Sequence, residues 1–189
     1  GPFAVDQIPE ALRMKRASRA PGWLREGRGE HTPETEAYGI SNFVYRARRP
    51  FHPQRFWDLI NSEWPGVLRS KGFFWLATRM EVVGSWSQAG GACRHGPGGL
   101  WWSAIARDEW PPDPESQALI VREFDGPHGD RRQELVIIGI DYDEASLQSR
   151  FDACLLDDRE WGLGLDAWRH LPDPFNDWQM ERAGTEALP

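Results

Sequence analysis

Between Phe43 and Arg48 apolar and polar side chains alternate, with Phe43, Tyr45 and Ala47 on one side and Val44, Arg46 and Arg48 on the other. A period of two is that of a strand with one buried face. Arg49-Pro50 ends it, because proline brings no N–H to a ladder. His52-Pro53 then opens a helix, with proline in the first turn where its missing N–H costs nothing. Phe56, Leu59, Ile60 and Trp64 fall on one face of that helix, and Pro65-Gly66 closes it. Strands are predicted at about 71–78, 81–88 and 99–106, the last two joined by a Gly/Pro-rich loop from Gly90 to Gly99. After the rigid break Pro111-Pro112-Asp113-Pro114, Glu115 to Phe124 reads as a short helix. Leu135 to Ile140 is a continuous apolar run, the mark of a central strand buried on both faces. Asp143 caps a helix whose Leu147, Phe151, Cys154 and Leu155 share a face, and beyond Asp157 a turn, helical or not, and an extended tail are expected.

The order β-α-β-β-β-α-β-α predicts an α+β fold. The expected form is a two-layer sandwich, a mixed or antiparallel sheet with helices mainly on one face, ferredoxin-like in character. Three segments are read. Residues 1–37 form a peripheral basic segment and linker, 38–157 the folded body, and 158–189 an aromatic, acidic tail wrapping it.

Composition changes this picture in three places. Eleven Trp and nine Phe among 189 residues promise a densely packed centre. The adjacent pair Trp101-Trp102 is expected on a strand, one ring inward and the other facing solvent or a partner. Two cysteines, Cys93 and Cys154, make no disulfide framework and fit a reducing cytoplasm. No apolar run approaches the roughly 20 residues of a membrane span, so no membrane role is expected. Net charge is −7, which counts against a general nucleic-acid binder. It is unevenly spread: residues 42–79 hold seven basic and two acidic side chains, residues 141–189 four basic and twelve acidic. Arg46, Arg48, Arg49, Arg69 and Lys71 are the candidate interaction residues of the basic stretch, a face expected to dock onto the acidic tail or another domain.

Candidate chemistry is sparse. A phosphate-binding loop needs Gly-x-x-x-x-Gly-Lys-Ser/Thr, and the two lysines here follow Met14 and Ser70. The Asn-Lys-x-Asp guanine-reading motif fails on the same positions, so no enzyme activity is expected of this chain. No Gly-x-Ser-x-Gly elbow occurs, and Asp141, Asp143 and Glu144 read as helix capping rather than acid–base chemistry. Cys93 and His95 are the best metal candidates, since thiolate and imidazole are the ligands zinc prefers. A third ligand is needed from His52, His128, Asp141 or His170, and zinc is the one cofactor considered. Lys71-Gly72-Phe73-Phe74-Trp75 loosely matches an RNA-recognition strand, with Phe74 where Gly or Ala belongs and Thr78 where an aromatic belongs.

Several stretches together carry a resemblance. They are Gly29 to Glu36, Tyr38-Gly39-Ile40, Phe43 to Pro53, Arg69 to Gly91, Asp130 to Val136 and Leu171-Pro172-Asp173-Pro174-Phe175. In these the chain resembles the C-terminal domain of the CobW-type GTPases, in a long bacterial form; the family delivers metals. The resemblance implies the same α+β architecture. It implies a parent that binds GTP and zinc or a related metal, and a domain that packs against the GTPase domain and helps recognise client metalloproteins. The family's Cys-x-Cys-Cys metal motif is absent from this chain. The expected function is therefore a non-catalytic interaction and regulatory domain, either cut from a larger protein or a naturally separate half. The alternatives are a nucleic-acid-binding module built on the Lys71–Trp75 strand and a domain that binds zinc directly.

Overall fold

A computed structural model describes residues 39–176 and residue 178. The expectations for residues 1–37 and for the end of the tail lie outside the described residues. β1 (Ile40–Ala47) leads through α1 (Pro53–Ile60) to β2 (Val67–Phe74), β3 (Val82–Ala89) and β4 (Ala92–Leu100). Then follow α2 (Pro114–Arg122), β5 (Gln133–Ile140), α3 (Glu144–Asp152) and two short helices, α4 (Asp158–Gly162) and α5 (Gly164–Trp168). The sheet order is β1-β5-β2-β3-β4, and every pairing is antiparallel. Hence β1 and β2 run the same way with β5 inserted between them. That split β-α-β unit gives the fold its ferredoxin-like character.

The helices form where their ends are capped. His52 Nδ1 accepts from the Gln54 N–H at 3.2 Å and opens α1; Asp143 accepts from the Ser146 N–H at 2.9 Å and opens α3. Both helices turn their apolar faces to the same side of the sheet. Phe56, Leu59 and Ile60 of α1 and Leu147 and Phe151 of α3 pack with Tyr45, Phe74, Trp86, Leu135 and Ile137. A second cluster gathers Phe73, Trp75, Val83, Trp101, Trp102 and Trp110 with Ile120 of α2 and Trp168 of α5. Phe73 and Phe74, neighbours on β2, serve different clusters, as the alternation of a strand requires.

Three details differ from the sequence reading. β2 begins and ends four residues earlier than expected, at Val67 and Phe74. Trp75 to Ala77 leave the sheet because they pair with Phe51 instead. The stretch Gly90 to Gly99 is not a loop: Ala89 pairs with Ala92 across the two-residue turn Gly90-Gly91, and the glycine-rich segment is β4 itself. Gly90 carries φ +57°, which that turn demands. Pro97 is tolerated because β4 is an edge strand. Trp101 and Trp102 follow β4 and are both buried, at 0% and 6% exposure, so neither faces solvent.

The chain between β1 and α1 is spliced into the body. The Phe51 N–H donates to the Trp75 carbonyl (2.9 Å), and the Ala77 N–H to the Phe51 carbonyl (3.0 Å). On the other side the His52 N–H donates to the Cys154 carbonyl (2.8 Å), and the Leu156 N–H to the Pro50 carbonyl (3.0 Å). Gln133, fully buried, braces this splice. Its Nε2 donates to the Arg49 and Trp75 carbonyls and its Oε1 accepts from the Trp75 N–H, all at 2.9 Å.

Gln133→Leu is expected to keep the volume and strand the Trp75 amide and the Arg49 carbonyl without partners, the Trp75 carbonyl keeping the Phe51 N–H. The loss should be about 2–4 kcal/mol, read from urea unfolding midpoints. A change under about 0.5 kcal/mol would show that the splice holds without the side-chain brace.

Candidate functional site

Cys93 and His95 stand two apart on β4, opposite Gln88 and Trp86 of β3. That spacing puts both on one face, the face of α1. Cys93 is exposed at the hairpin end. His95 is half-buried, edge-on to Trp57 at 5.5 Å and to Phe175 at 5.2 Å. Its Nδ1 is buried and has no hydrogen-bond partner among the described residues. The expected third ligands lie in other roles. His52 caps α1, and His128 sits among Trp75, Trp161 and Trp168 with ring centres 5.0–5.6 Å away. Asp141 and His170 are exposed. No three His, Cys, Asp or Glu side chains among the described residues are gathered as a metal site.

The register sorts the basic candidates. On the face turned away from α1 and α3, Val44, Val136, Lys71, Ser87 and Arg94 form one row across all five strands. Arg46 lies one row on, 3.8 Å from Glu134, and Arg69 lies on the other side, beside Ile138 and Ala89. The structure thus brings Arg46, Arg69 and Lys71 onto one sheet face and adds Arg94. Arg94 is not evident from the sequence, because the glycine-rich stretch has the composition of a loop; the Gly90-Gly91 turn is the signal that marks it as a strand.

Arg48 and Arg49 leave this set. Arg48 donates to the Glu123 and Gly129 carbonyls at 3.1 and 3.3 Å. Arg49 donates to the Leu156 carbonyl at 3.0 Å and to Asp158 at 2.8 Å. Arg55 behaves likewise, gripping both oxygens of Glu160 at 2.8 and 2.6 Å, and this hydrogen bonding holds the Glu160 carboxyl down at about 2. An open groove beside these arginines is lined also by Asp152, Asp157 and Asp158. Its charges already answer one another, so it makes no strong anion site.

The Lys71 strand offers nothing for base stacking. Phe73, Phe74 and Trp75 are 7%, 0% and 0% exposed, and the Arg132 guanidinium covers the Phe73 ring at 4.8 Å.

Beyond α5, Arg79 gathers the chain in. Its Nε and Nη2 donate to the two oxygens of Asp173 at 2.8 and 3.1 Å, while Nη2 and Nη1 donate to the Phe175 and Asn176 carbonyls at 2.9 and 3.2 Å. Thr78 Oγ1 donates to Asp173 at 2.6 Å, and the guanidinium lies 4.3 Å from the Trp178 ring centre. Phe175, at 4% exposure, packs on Phe56, Trp57, Phe74 and His95.

Burial pushes His52, His95 and His128 below their ordinary 6.5; the charges of Arg55, Arg79 and Arg131 push the three further the same way. The folded state therefore holds these rings neutral, while the unfolded chain protonates them at 6.5. Their contribution is fully present above that pH and is lost as pH falls below 6.5 toward the lowered folded values. Thermal unfolding midpoints should hold steady above about pH 7 and fall below 6.5, less steeply in His95→Phe. A midpoint independent of pH between 7 and 5 would contradict this.

Comparison with known proteins places the chain. Residues 40–155, from the start of β1 to just past α3, match the family described as the cobalamin synthesis protein cobW C-terminal domain. Over 166 residues the chain is 43% identical to Zinc-regulated GTPase metalloprotein activator 1 of Dictyostelium discoideum, covering 86% of this chain and 35% of that protein. It is 33% identical over 135 residues to Zinc chaperone Rv0106 of Mycobacterium tuberculosis (strain ATCC 25618 / H37Rv), covering 71% and 34%. The chain spans about a third of the length of these relatives. The solved Zn(II)-bound YjiA GTPase from E. coli aligns over 67% of this chain and 33% of its own, at 14% identity and TM-score 0.45, a likeness too weak to carry an argument. On the family match and these two relatives, the chain belongs to the CobW C-terminal domain family.

Proposed function

We propose that this chain is the non-catalytic interaction and regulatory domain of a GTP-dependent metallochaperone whose cargo is zinc. It docks on a GTPase domain, in the same or a companion chain, and on the client metalloprotein. The observation that carries the reading is the family match across β1 to α3, joined to relatives named as a zinc-regulated GTPase activator and a zinc chaperone. The absence of any Gly-Lys dipeptide supports leaving GTP chemistry to the partner domain. A reducing cytoplasm suits the two unpaired cysteines. No helix among the described residues is long and apolar enough to cross a membrane.

The docking surface in this reading is the sheet face bearing Arg46, Arg69, Lys71 and Arg94. It offers positive charge around the apolar side chains of Val44 and Ile138. Charges arranged this way set encounter rate and orientation, and apolar contact supplies the affinity. Mixed with a separately produced GTPase domain of the family, the chain should bind at tens of micromolar or tighter. Arg69→Glu together with Arg94→Glu should weaken binding about tenfold and flatten its salt dependence. No association at those concentrations would sink the docking reading.

Direct zinc binding is the weaker reading, since Cys93 and His95 supply two ligands and a closed site needs four. The reduced chain, titrated against a chromogenic chelator, should compete poorly for zinc, and Cys93→Ser should change little. Tight one-to-one binding abolished by that substitution would move the metal chemistry into this domain.

A further inference from the structure

Residues 171–176 and Trp178 sit on the body as a peptide sits on a receptor. Residues 172–176 belong to no helix or strand, and among the described residues no backbone–backbone hydrogen bond ties them to the rest. Their polar links to the body run through two side chains, Thr78 and Arg79. Their main apolar link is the Phe175 ring, in a pocket of Phe56, Trp57, Phe74 and His95, with Trp178 edge-on to Phe74 at 5.9 Å beside it.

What the pocket reads is short and local. The Phe175 N–H donates to Asp173 Oδ1 at 3.0 Å, so the segment turns on itself and presents carboxylate and ring together. Pro174 between them stiffens that turn and lowers the entropy lost on binding. Arg79 takes both carboxylate oxygens, a geometry that separates carboxylate from amide or hydroxyl. It also reads the main chain at residues 175 and 176 and stacks on Trp178. The anchors are an arginine, a phenylalanine and tryptophans, types rich at protein contacts and prominent among those that carry binding energy.

We propose that this pocket is a recognition site for short turn-forming segments of the form Asp-Pro-aromatic, with Asp173 to Asn176 and Trp178 as its tethered occupant. A partner protein carrying the same motif on an exposed segment displaces them. The tether raises the effective concentration of the chain's own copy to the millimolar range, which sets the level a competitor must overcome. A partner that touches a second surface meets that level by avidity. The pocket's chemistry does not involve a GTPase domain, and it stands or falls apart from the sheet-face docking proposed above.

The test uses a fluorescein-labelled peptide of residues 170–179 and the full chain carrying Asp173→Ala with Phe175→Ala, which empties the pocket. Anisotropy should show saturable binding, weakened about tenfold or more in a peptide with Ala at the Asp and Phe positions. The unaltered chain should bind the same peptide about tenfold more weakly, because its own segment competes. No saturable binding, or equal binding of the altered peptide, would overturn the proposal. Should the double variant not fold, hydrogen exchange on the unaltered chain decides. Millimolar unlabelled peptide must speed exchange of the Phe175 amide, the one held by Asp173, and unchanged exchange there overturns the proposal.

Discussion

Gln133 closes a gap that no backbone ladder reaches. β5 begins at this residue, and the chain around Trp75 has just left the sheet to pair with Phe51. A buried amide with one carbonyl and one NH2 group matches the Trp75 N–H and the Arg49 carbonyl left open there, and adds a second donor to the Trp75 carbonyl that Phe51 already meets. Around that brace the layers meet. Phe51, at 0% exposure, stacks 4.4 Å from Phe56 of α1 and 6.1 Å from Tyr45 of β1, while Trp75 enters the second cluster. Both faces of the domain are thus registered to one point, where the sheet, the chain entering α1 and the segment after α3 are joined.

Much of this was legible in the sequence, for identifiable reasons. β1 declared itself through the alternation of Phe43 to Arg48, β5 through an unbroken apolar run, and α1 and α3 through their caps and spacing. What was not legible shares one cause. The Gly90–Gly99 stretch has the composition of a loop, since glycine and proline are poor strand formers. It forms a strand because a two-residue turn sets it beside β3 and one side needs no partner. The end of β2 could not be foreseen because Phe51 competes for Trp75 to Ala77, a tertiary pairing that no local pattern announces.

The same holds for the surfaces. Nearness in sequence groups Cys93 and His95, and the strand does put them on one face, but the companions of His95 are rings and Cys93 is exposed. The basic stretch 46–71 looked like one patch. The pleat sends Arg46, Arg69 and Lys71 to one side, and the chain beyond β1 spends Arg48 and Arg49 on carbonyls of the body. Arg79 and Asp173 stood far apart in sequence, and only the fold makes them one bidentate pair.

The sheet order also dictates when the domain can form. Tyr45 meets Asp152 across 107 positions of sequence, and β5 is the fifth strand made although it lies second in the sheet. A chain emerging from the ribosome holds β1 and β2 with the seat between them unfilled until residues 133–140 are out. Such non-local closure is slow. For that interval two strand edges lie open beside a run of exposed aromatic side chains, the state in which a nascent or prematurely ended chain is most exposed to aggregation.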